Sequence, residues 1–243
     1  MGINSGISFC HHTWNPWQGC TKISPGCKNC YMYRDKVRYG QDPTVVKRSA
    51  DATFYMPIRT KKWKPLDRIF VCSWSDFFHI DADQWRVEAW DMMRLRKDVN
   101  FILITKRPEN ITQRLPFDWS DGYDHVWLLT TTENQTEYDA RVAELMRVPA
   151  KVRGIIAEPL LGPVRIHTDH LDRLQWVIAG CESGGEGVRR HAKLDWFRAL
   201  RDQAAQARIP FFLKQIEIGS EVQELAPLDG RVYAEYPVKV ADE

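Results

Sequence analysis

Short apolar runs recur along this chain, each ending in polar residues and most followed by an amphipathic stretch. Residues 68–73 (Arg-Ile-Phe-Val-Cys-Ser) give way to Trp74, Ser75 and Asp76, and the apolar spacing over residues 83–96 predicts a helix. The run 101–105 ends in Lys106-Arg107-Pro108, and the run 126–130 ends in Thr131-Thr132-Glu133-Asn134 before a predicted helix over 137–147. Residues 154–157 end in Glu158-Pro159. Residues 175–179 end in Gly180-Cys181-Glu182-Ser183-Gly184-Gly185, with a helix predicted over 194–207, and residues 210–213 end in Lys214-Gln215. Upstream, residues 7–13 read as a first strand and residues 31–39 as a helix stopping at Gly40.

Continuous apolar strands alternating with helices are the pattern of a parallel sheet covered on both faces. Repeated without a Gly-x-Gly-x-x-Gly fingerprint, it predicts an α/β chain folded as a partial (β/α) TIM-type barrel of about six or seven parallel strands. The barrel is expected over residues 1–218. Residues 219–243 read as a poorly constrained tail or small extension, with a hairpin around Asp229-Gly230. Polarity concentrates where barrels of this kind carry their sites, at the C-terminal strand ends. The expected ring is Ser73, Ser75, Asp76, Thr105, Lys106, Arg107, Thr131, Glu133, Asn134, Glu158, Glu182, Ser183, Lys214 and Gln215.

Composition narrows this picture. A chain of 243 residues suits one barrel, and a formal charge of +2 excludes a global field drawing it onto a polyanion. A local patch stays open, the run from Arg59 to Lys64 reading either as a solvated loop or as a phosphate contact. No stretch approaches the roughly 20 apolar residues of a membrane helix, and no signal peptide is visible, so a soluble cytoplasmic protein without a membrane partner is expected. In a reducing compartment, clustered cysteines bind metal more often than they pair.

The candidate chemistry lies in residues 14–31. Cys20, Cys27 and Cys30 fall within eleven residues, interleaved with Gly19, Pro25 and Gly26. Thiols this dense, with turn formers between them, hold a metal or an iron–sulfur cluster. Three ligands with no evident fourth fit a cubane that leaves one iron open. The alternative is a closed structural zinc site completed by His11 or His12.

A three-cysteine loop after the first strand of a partial barrel resembles the radical S-adenosylmethionine (SAM) superfamily. The usual superfamily spacing is Cys-x3-Cys-x2-Cys with an aromatic before the last cysteine. Here the spacing is Cys-x6-Cys-x2-Cys, Asn29 occupies the aromatic position and Tyr31 follows. A longer match is with a phage-associated radical SAM-like family carrying the expanded motif. It runs through Trp14-Asn15-Pro16, Gly19-Cys20-Thr21-Lys22, Ser24-Pro25-Gly26-Cys27, Asn29-Cys30-Tyr31, Ser73-Trp74-Ser75-Asp76-Phe77-Phe78-His79 and Thr105-Lys106-Arg107-Pro108-Glu109. It continues through Glu133-Asn134-Gln135, Glu158-Pro159-Leu160-Leu161-Gly162-Pro163, Gly180-Cys181-Glu182-Ser183-Gly184 and Phe211-Phe212-Leu213-Lys214-Gln215, with Cys181 where that family commonly has glycine.

The resemblance implies that Cys20, Cys27 and Cys30 bind a [4Fe-4S] cluster whose fourth iron is chelated by the amino and carboxylate groups of SAM, yielding a 5′-deoxyadenosyl radical. It also implies an electron donor such as flavodoxin or ferredoxin. Gly180, Glu182 and Ser183 would lie near the methionyl or ribose part, Lys106 or Arg107 would pair with the cofactor carboxylate, Ser73 and Ser75 would bond its polar groups, and Glu133 or Glu158 the ribose. One activity known in the family isomerises N-linked glycinylthymine in phage DNA to the carbon-linked form, a thymidine hypermodification that protects viral DNA from host restriction. A partner that is a modified thymine in DNA or a nucleotide follows, in the host cytoplasm if the chain is phage-encoded. A free nucleotide, a tRNA base or a peptide are the other substrates of the same chemistry. Trp17, Trp63, Trp74, Phe77 and Phe78 are candidates for holding an extruded base, with core packing as their other reading. His79 reads as a proton donor or a structural histidine, Cys10 and Cys72 as buried strand thiols, and Cys181 as a thiol near the mouth.

Overall fold

The computed structural model describes residues 4–237. Ten strands run β1 (His12–Trp14), β2 (Trp17–Gln18), β3 (Lys47–Arg48), β4 (Arg68–Val71), β5 (Asn100–Thr105), β6 (Val126–Thr131), β7 (Val152–Ala157), β8 (Trp176–Gly180), β9 (Phe211–Ile218) and β10 (Glu221–Glu224). The α-helices are α1 (Tyr31–Arg38), α2 (Asp51–Phe54), α3 (Met56–Arg59), α4 (Asp83–Leu95), α5 (Gln135–Arg147), α6 (Thr168–Leu171) and α7 (Leu194–Gln206). One sheet has the order β1-β4-β5-β6-β7-β8-β9-β10, parallel from β1 to β9 and antiparallel at β10. This is the expected α/β partial barrel with seven parallel strands. β2 and β3 form a separate antiparallel pair.

Successive side chains on a strand point to opposite faces, and both faces are apolar here. Phe101, Leu103, Leu128, Ile155, Ala157, Val177, Ala179 and Leu213 pack outward against the helical layer. Ile102, Leu129, Ile156, Ile178 and Phe212 point inward, where Trp127 and Trp176 meet edge-to-face at 5.6 Å and Phe9 stands at 6.3 Å from Trp176. These aromatics fill the lower interior. The upper interior stays open and becomes the site.

Two expectations are corrected. Residues 7–13 are not a strand: only His12–Trp14 pairs with β4, and the preceding segment turns through the Cys10 N–H to Ile7 O bond of 3.1 Å. Its apolar residues imitate a strand because Phe9 plugs the barrel interior. Nor are residues 220–237 poorly constrained, residues 238–243 of the expected tail lying outside the described residues. β10 extends the sheet, Asp229-Gly230 turn through positive φ (52° and 81°), and the Tyr236 ring packs on Phe212 at 5.3 Å.

Asp229 pins this segment to α7 by accepting hydrogen bonds from Arg198 Nε at 3.0 Å and Arg201 Nη1 at 2.6 Å. Those bonds, Arg198 first, hold its carboxyl down at about 2. A depressed folded-state pKa contributes stability that is present above the unfolded value of about 3.9 and is lost as pH falls through the folded value. Asp229→Asn is therefore expected to lower the urea midpoint at neutral pH, and its gap to the parent to close progressively below about pH 4.

Candidate metal centre

At the C-terminal ends of the strands lies a cavity of about 380 Å³, within the usual size of a ligand site. All three loop cysteines, Cys20, Cys27 and Cys30, line it, together with Ser73, Ser75, Lys106, Glu158 and Lys214 from the strand ends. Ile104, Ile156, Phe70 and Phe9 form its apolar floor.

The cysteine loop is fixed residue by residue. Gly19 adopts φ +99°, and a Cβ there would collide with Val45 O, so glycine is required. Its N–H donates to Trp74 O (3.0 Å), and its carbonyl accepts from Ser75 Oγ at 2.5 Å. The Cys20 carbonyl accepts from Tyr33 Oη at 2.6 Å. A tight turn over Pro25–Cys27 presents Cys27, and Cys30 immediately precedes α1. Asn15, buried at the end of β1, organises the facing turn, donating to Ser73 Oγ at 3.0 Å and accepting from the Trp74 N–H at 2.8 Å.

Behind the loop stand three arginine–carboxylate pairs, each reaching a different part of it. Arg107 Nη1 bonds Asp76 Oδ2 at 3.1 Å and the Cys20 Sγ at 3.5 Å, while Nη2 donates to Thr21 O and Oγ1, both at 2.8 Å. Asp76 also accepts from Thr105 Oγ1 (2.7 Å) and the Lys106 N–H (3.0 Å). Arg141 on α5 donates to the fully buried Glu133 at 2.6 Å, whose other oxygen accepts from Ser24 Oγ at 2.5 Å. Gly26 lies so close to this carboxylate that any Cβ would overlap it. Arg190 pairs with Glu182, which accepts from Asn29 Nδ2 at 2.9 Å, and Arg190 Nη1 reaches Pro25 O at 3.0 Å.

The polar ring therefore divides. Arg107, Glu133 and Glu182 hold the loop, Arg107 and Glu182 lining the cavity as well, Asn134 caps α5 by accepting from the Glu137 N–H, and Gly180 leaves room for the Glu158 side chain. Ser73, Ser75, Lys106, Glu158 and Ser183 border the cavity, with Glu158 paired to Lys214. Lys106 Nζ donates to Thr131 Oγ1 at 3.3 Å and has no ion-pair partner among the described residues. Arg141 and Arg190 had no signal in the sequence, because each is one basic residue among many on a helix or loop.

Several sequence candidates lie elsewhere. Trp17, Phe77 and Phe78 are fully buried, and Trp17 stacks on Phe77 at 5.1 Å, beneath the sheet's helical cover rather than in the cavity. Trp63 stacks on His12 at 5.9 Å. None of these rings lines the mouth; Phe9, Tyr31, Tyr33 and Phe70 do. The run 59–64 leads to the N-terminal end of β4, where the Lys64 N–H donates to Asp67 at 2.7 Å, away from the mouth. His79 is buried, bonding Thr21 Oγ1 at 3.1 Å and accepting from the Asp81 N–H, a structural role. Cys181 packs in the helix-side core and its thiol is pushed up to about 12 by burial, whereas Cys72 borders the cavity and Cys10 is buried just before β1.

The donor set discriminates between metals. Tetrahedral zinc with bonds of about 2.3 Å draws its sulfurs to roughly 3.8 Å of one another. The three cysteine sulfurs do not all lie within 4.8 Å of one another. Neither candidate fourth ligand is at hand: His12 Nε2 bonds Asp67 at 3.0 Å, and His11 Nδ1 accepts from the Arg68 N–H at 2.9 Å. Burial, then the Asp76 charge, pushes the Cys20 thiol up to about 12, against the pull of Arg107. A cationic centre at this spot would reverse that balance. Three thiols facing one cavity, with His11 and His12 engaged elsewhere, fit a cluster with an open position better than a closed four-ligand zinc site.

A family profile described as "Protein of unknown function (DUF5131)" matches residues 4–237. The chain belongs to this family. No curated protein matches the sequence. Among solved structures, a spore photoproduct lyase variant shares the fold with a TM-score of 0.54 at 10% identity, over 89% of this chain and 79% of that one. A second variant of that enzyme and its complex with dinucleoside spore photoproduct give 0.46 and 0.44 at 14% and 13% identity, each over 86% of this chain and 65% of theirs. At such identities the likeness is one of fold.

Removing Arg141 leaves Glu133 charged and buried. Arg141→Ala is expected to cost about 3–5 kcal/mol in urea unfolding, and pairing it with Glu133→Gln to recover part of that loss.

Proposed function

We propose that this DUF5131 chain is a radical SAM enzyme. The observation that carries the reading is the set of three cysteines, with no fourth ligand at hand, facing a single cavity at the mouth of a parallel half-barrel. Cys20, Cys27 and Cys30 would hold a [4Fe-4S] cluster, leaving one iron for the amino and carboxylate groups of SAM. When bound, the pair supplies a carbon radical that abstracts an unactivated hydrogen, given an electron from a donor such as flavodoxin or ferredoxin.

The protein's own residues bind, orient and exclude water. Arg107 keeps Cys20 in place and stabilises its thiolate through the N–H to sulfur bond. Because Arg107 is engaged by Asp76 and Thr21, Lys106 is the better cation for a cofactor carboxylate. Glu158, rather than the enclosed Glu133, is the carboxylate available to ribose hydroxyls, and Ser73, Ser75 and Ser183 border the same space. The apolar floor of Phe9, Phe70, Ile104 and Ile156 keeps the reacting centre dry.

For the substrate, the sequence resemblance favours a modified thymine in DNA, and specifically conversion of N-linked to carbon-linked glycinylthymine. Another nucleotide, a tRNA base or a peptide would use the same machinery.

Anaerobic purification is expected to give a brown protein with about four irons and four sulfides per chain, and Cys27→Ala a colourless one that releases no 5′-deoxyadenosine under reduction. A colourless parent carrying one zinc per chain overturns the cluster. Nucleoside mass spectrometry of DNA bearing N-linked glycinylthymine, before and after incubation with the reduced protein, tests the substrate; absence of the carbon-linked product removes that assignment.

A further inference from the structure

A second cavity, of about 480 Å³, opens beside the cysteine loop between α1 and the β2–β3 pair. Its lining is polar and basic: Lys36 from α1, Lys47 and Arg48 from β3, with Gln18, Gln41 and Ser49. Lys36 is only 5% exposed, yet its Nζ has no more than a 3.4 Å contact to Gln41 Oε1. Among the described residues, no carboxylate lies within ion-pair distance of Lys36 or Lys47. Arg48 is fixed by Asp51 at 2.7 Å and by stacking on Phe54 at 3.9 Å. Asp42, the acidic residue of the lining, has its Oδ1 taken by the Thr44 N–H and hydroxyl at 2.8 and 2.6 Å. Burial, and then the Lys47 charge, lowers the Lys36 pKa.

We propose that this basic cavity binds a backbone phosphate of a nucleic-acid substrate. Two lysine ammonium groups without carboxylate partners, one of them buried, suit a compact dianionic or monoanionic oxygen cluster. Location supports this assignment. Gln18 pairs with Lys47 and lies two residues before Cys20, whose N–H donates to Pro43 O at 2.9 Å, so the cavity and the metal centre share one loop. A strand held here by its phosphate would be registered against the mouth, which positions it without reading its sequence. The low net charge of the chain makes such a local anchor necessary. The inference rests on the nucleic-acid branch of the reading above and narrows it, since a peptide substrate has no use for this anchor.

The test is fluorescence anisotropy of a labelled single-stranded thymidine oligonucleotide with the full-length, cluster-loaded protein across a salt series. Lys47→Gln and Lys36→Gln are each expected to weaken binding and to reduce the log–log salt slope by about one, the loss of one phosphate contact. Inorganic phosphate at millimolar concentration is expected to compete with the parent and not with the double variant. Lys47 is exposed, so its variant stays informative if Lys36→Gln misfolds. Affinity and slope unchanged in Lys47→Gln overturn the proposal, as does an equal loss in the control Lys62→Gln from the remote basic run. Binding is read without turnover, so failure of the radical chemistry and failure of this anchor give separate results.

Discussion

The guanidinium of Arg107 is the joint on which the mouth of this barrel depends. It sits between a buried carboxylate, Asp76, and the first cysteine of the loop, and it also holds the backbone and hydroxyl of Thr21. Asp76 in turn is bonded by Thr105 and by the backbone of Lys106, so the ends of β4 and β5 and the cysteine loop share one network. Removing either charge leaves the other buried and uncompensated, which is far costlier than any surface pair. The same device recurs at Glu133–Arg141 and Glu182–Arg190, and the three pairs clamp the loop at Cys20–Thr21, at Ser24–Gly26 and at Asn29.

This arrangement explains why so many charged residues gather at one end of the sheet while most of those around the cavity are already engaged with one another or with the loop. A loop with three thiols has little apolar surface of its own and cannot bury itself into place. Its rigidity comes from hydrogen bonds to charged groups, which are stronger than neutral ones and directional. The cavity keeps a smaller set, chiefly Lys106, the Glu158–Lys214 pair and the serines, for what binds there. Preorganisation and recognition are thus carried by different members of one polar ring.

Much of the architecture was legible in the order of residues. Strands buried on both faces are apolar along most of their length, so β5 to β8 stand out as largely continuous apolar runs, and their polar ends mark the mouth without knowledge of pairing. The cysteine trio was equally plain, since ligands close in sequence need no long-range information. Residues 7–13 misled because Phe9 enters the barrel interior from a turn and imitates strand alternation. The aromatics Trp17, Phe77 and Phe78 misled for a related reason: a ring near the mouth in sequence can point under the helices as easily as into the cavity, and only packing decides.

What the sequence alone determined is the parallel α/β half-barrel, because the period and length of its apolar runs are set by burial on both sheet faces. It also determined the three-thiol loop, because its ligands are local. Tertiary structure alone decided which polar residues around the cavity hold that loop. Arg107 meets Cys20 across 87 positions and Asn29 meets Glu182 across 153. Such partners are chosen by the curvature of the sheet, which brings distant strand ends to one rim, and nothing in the local pattern of either residue encodes the other.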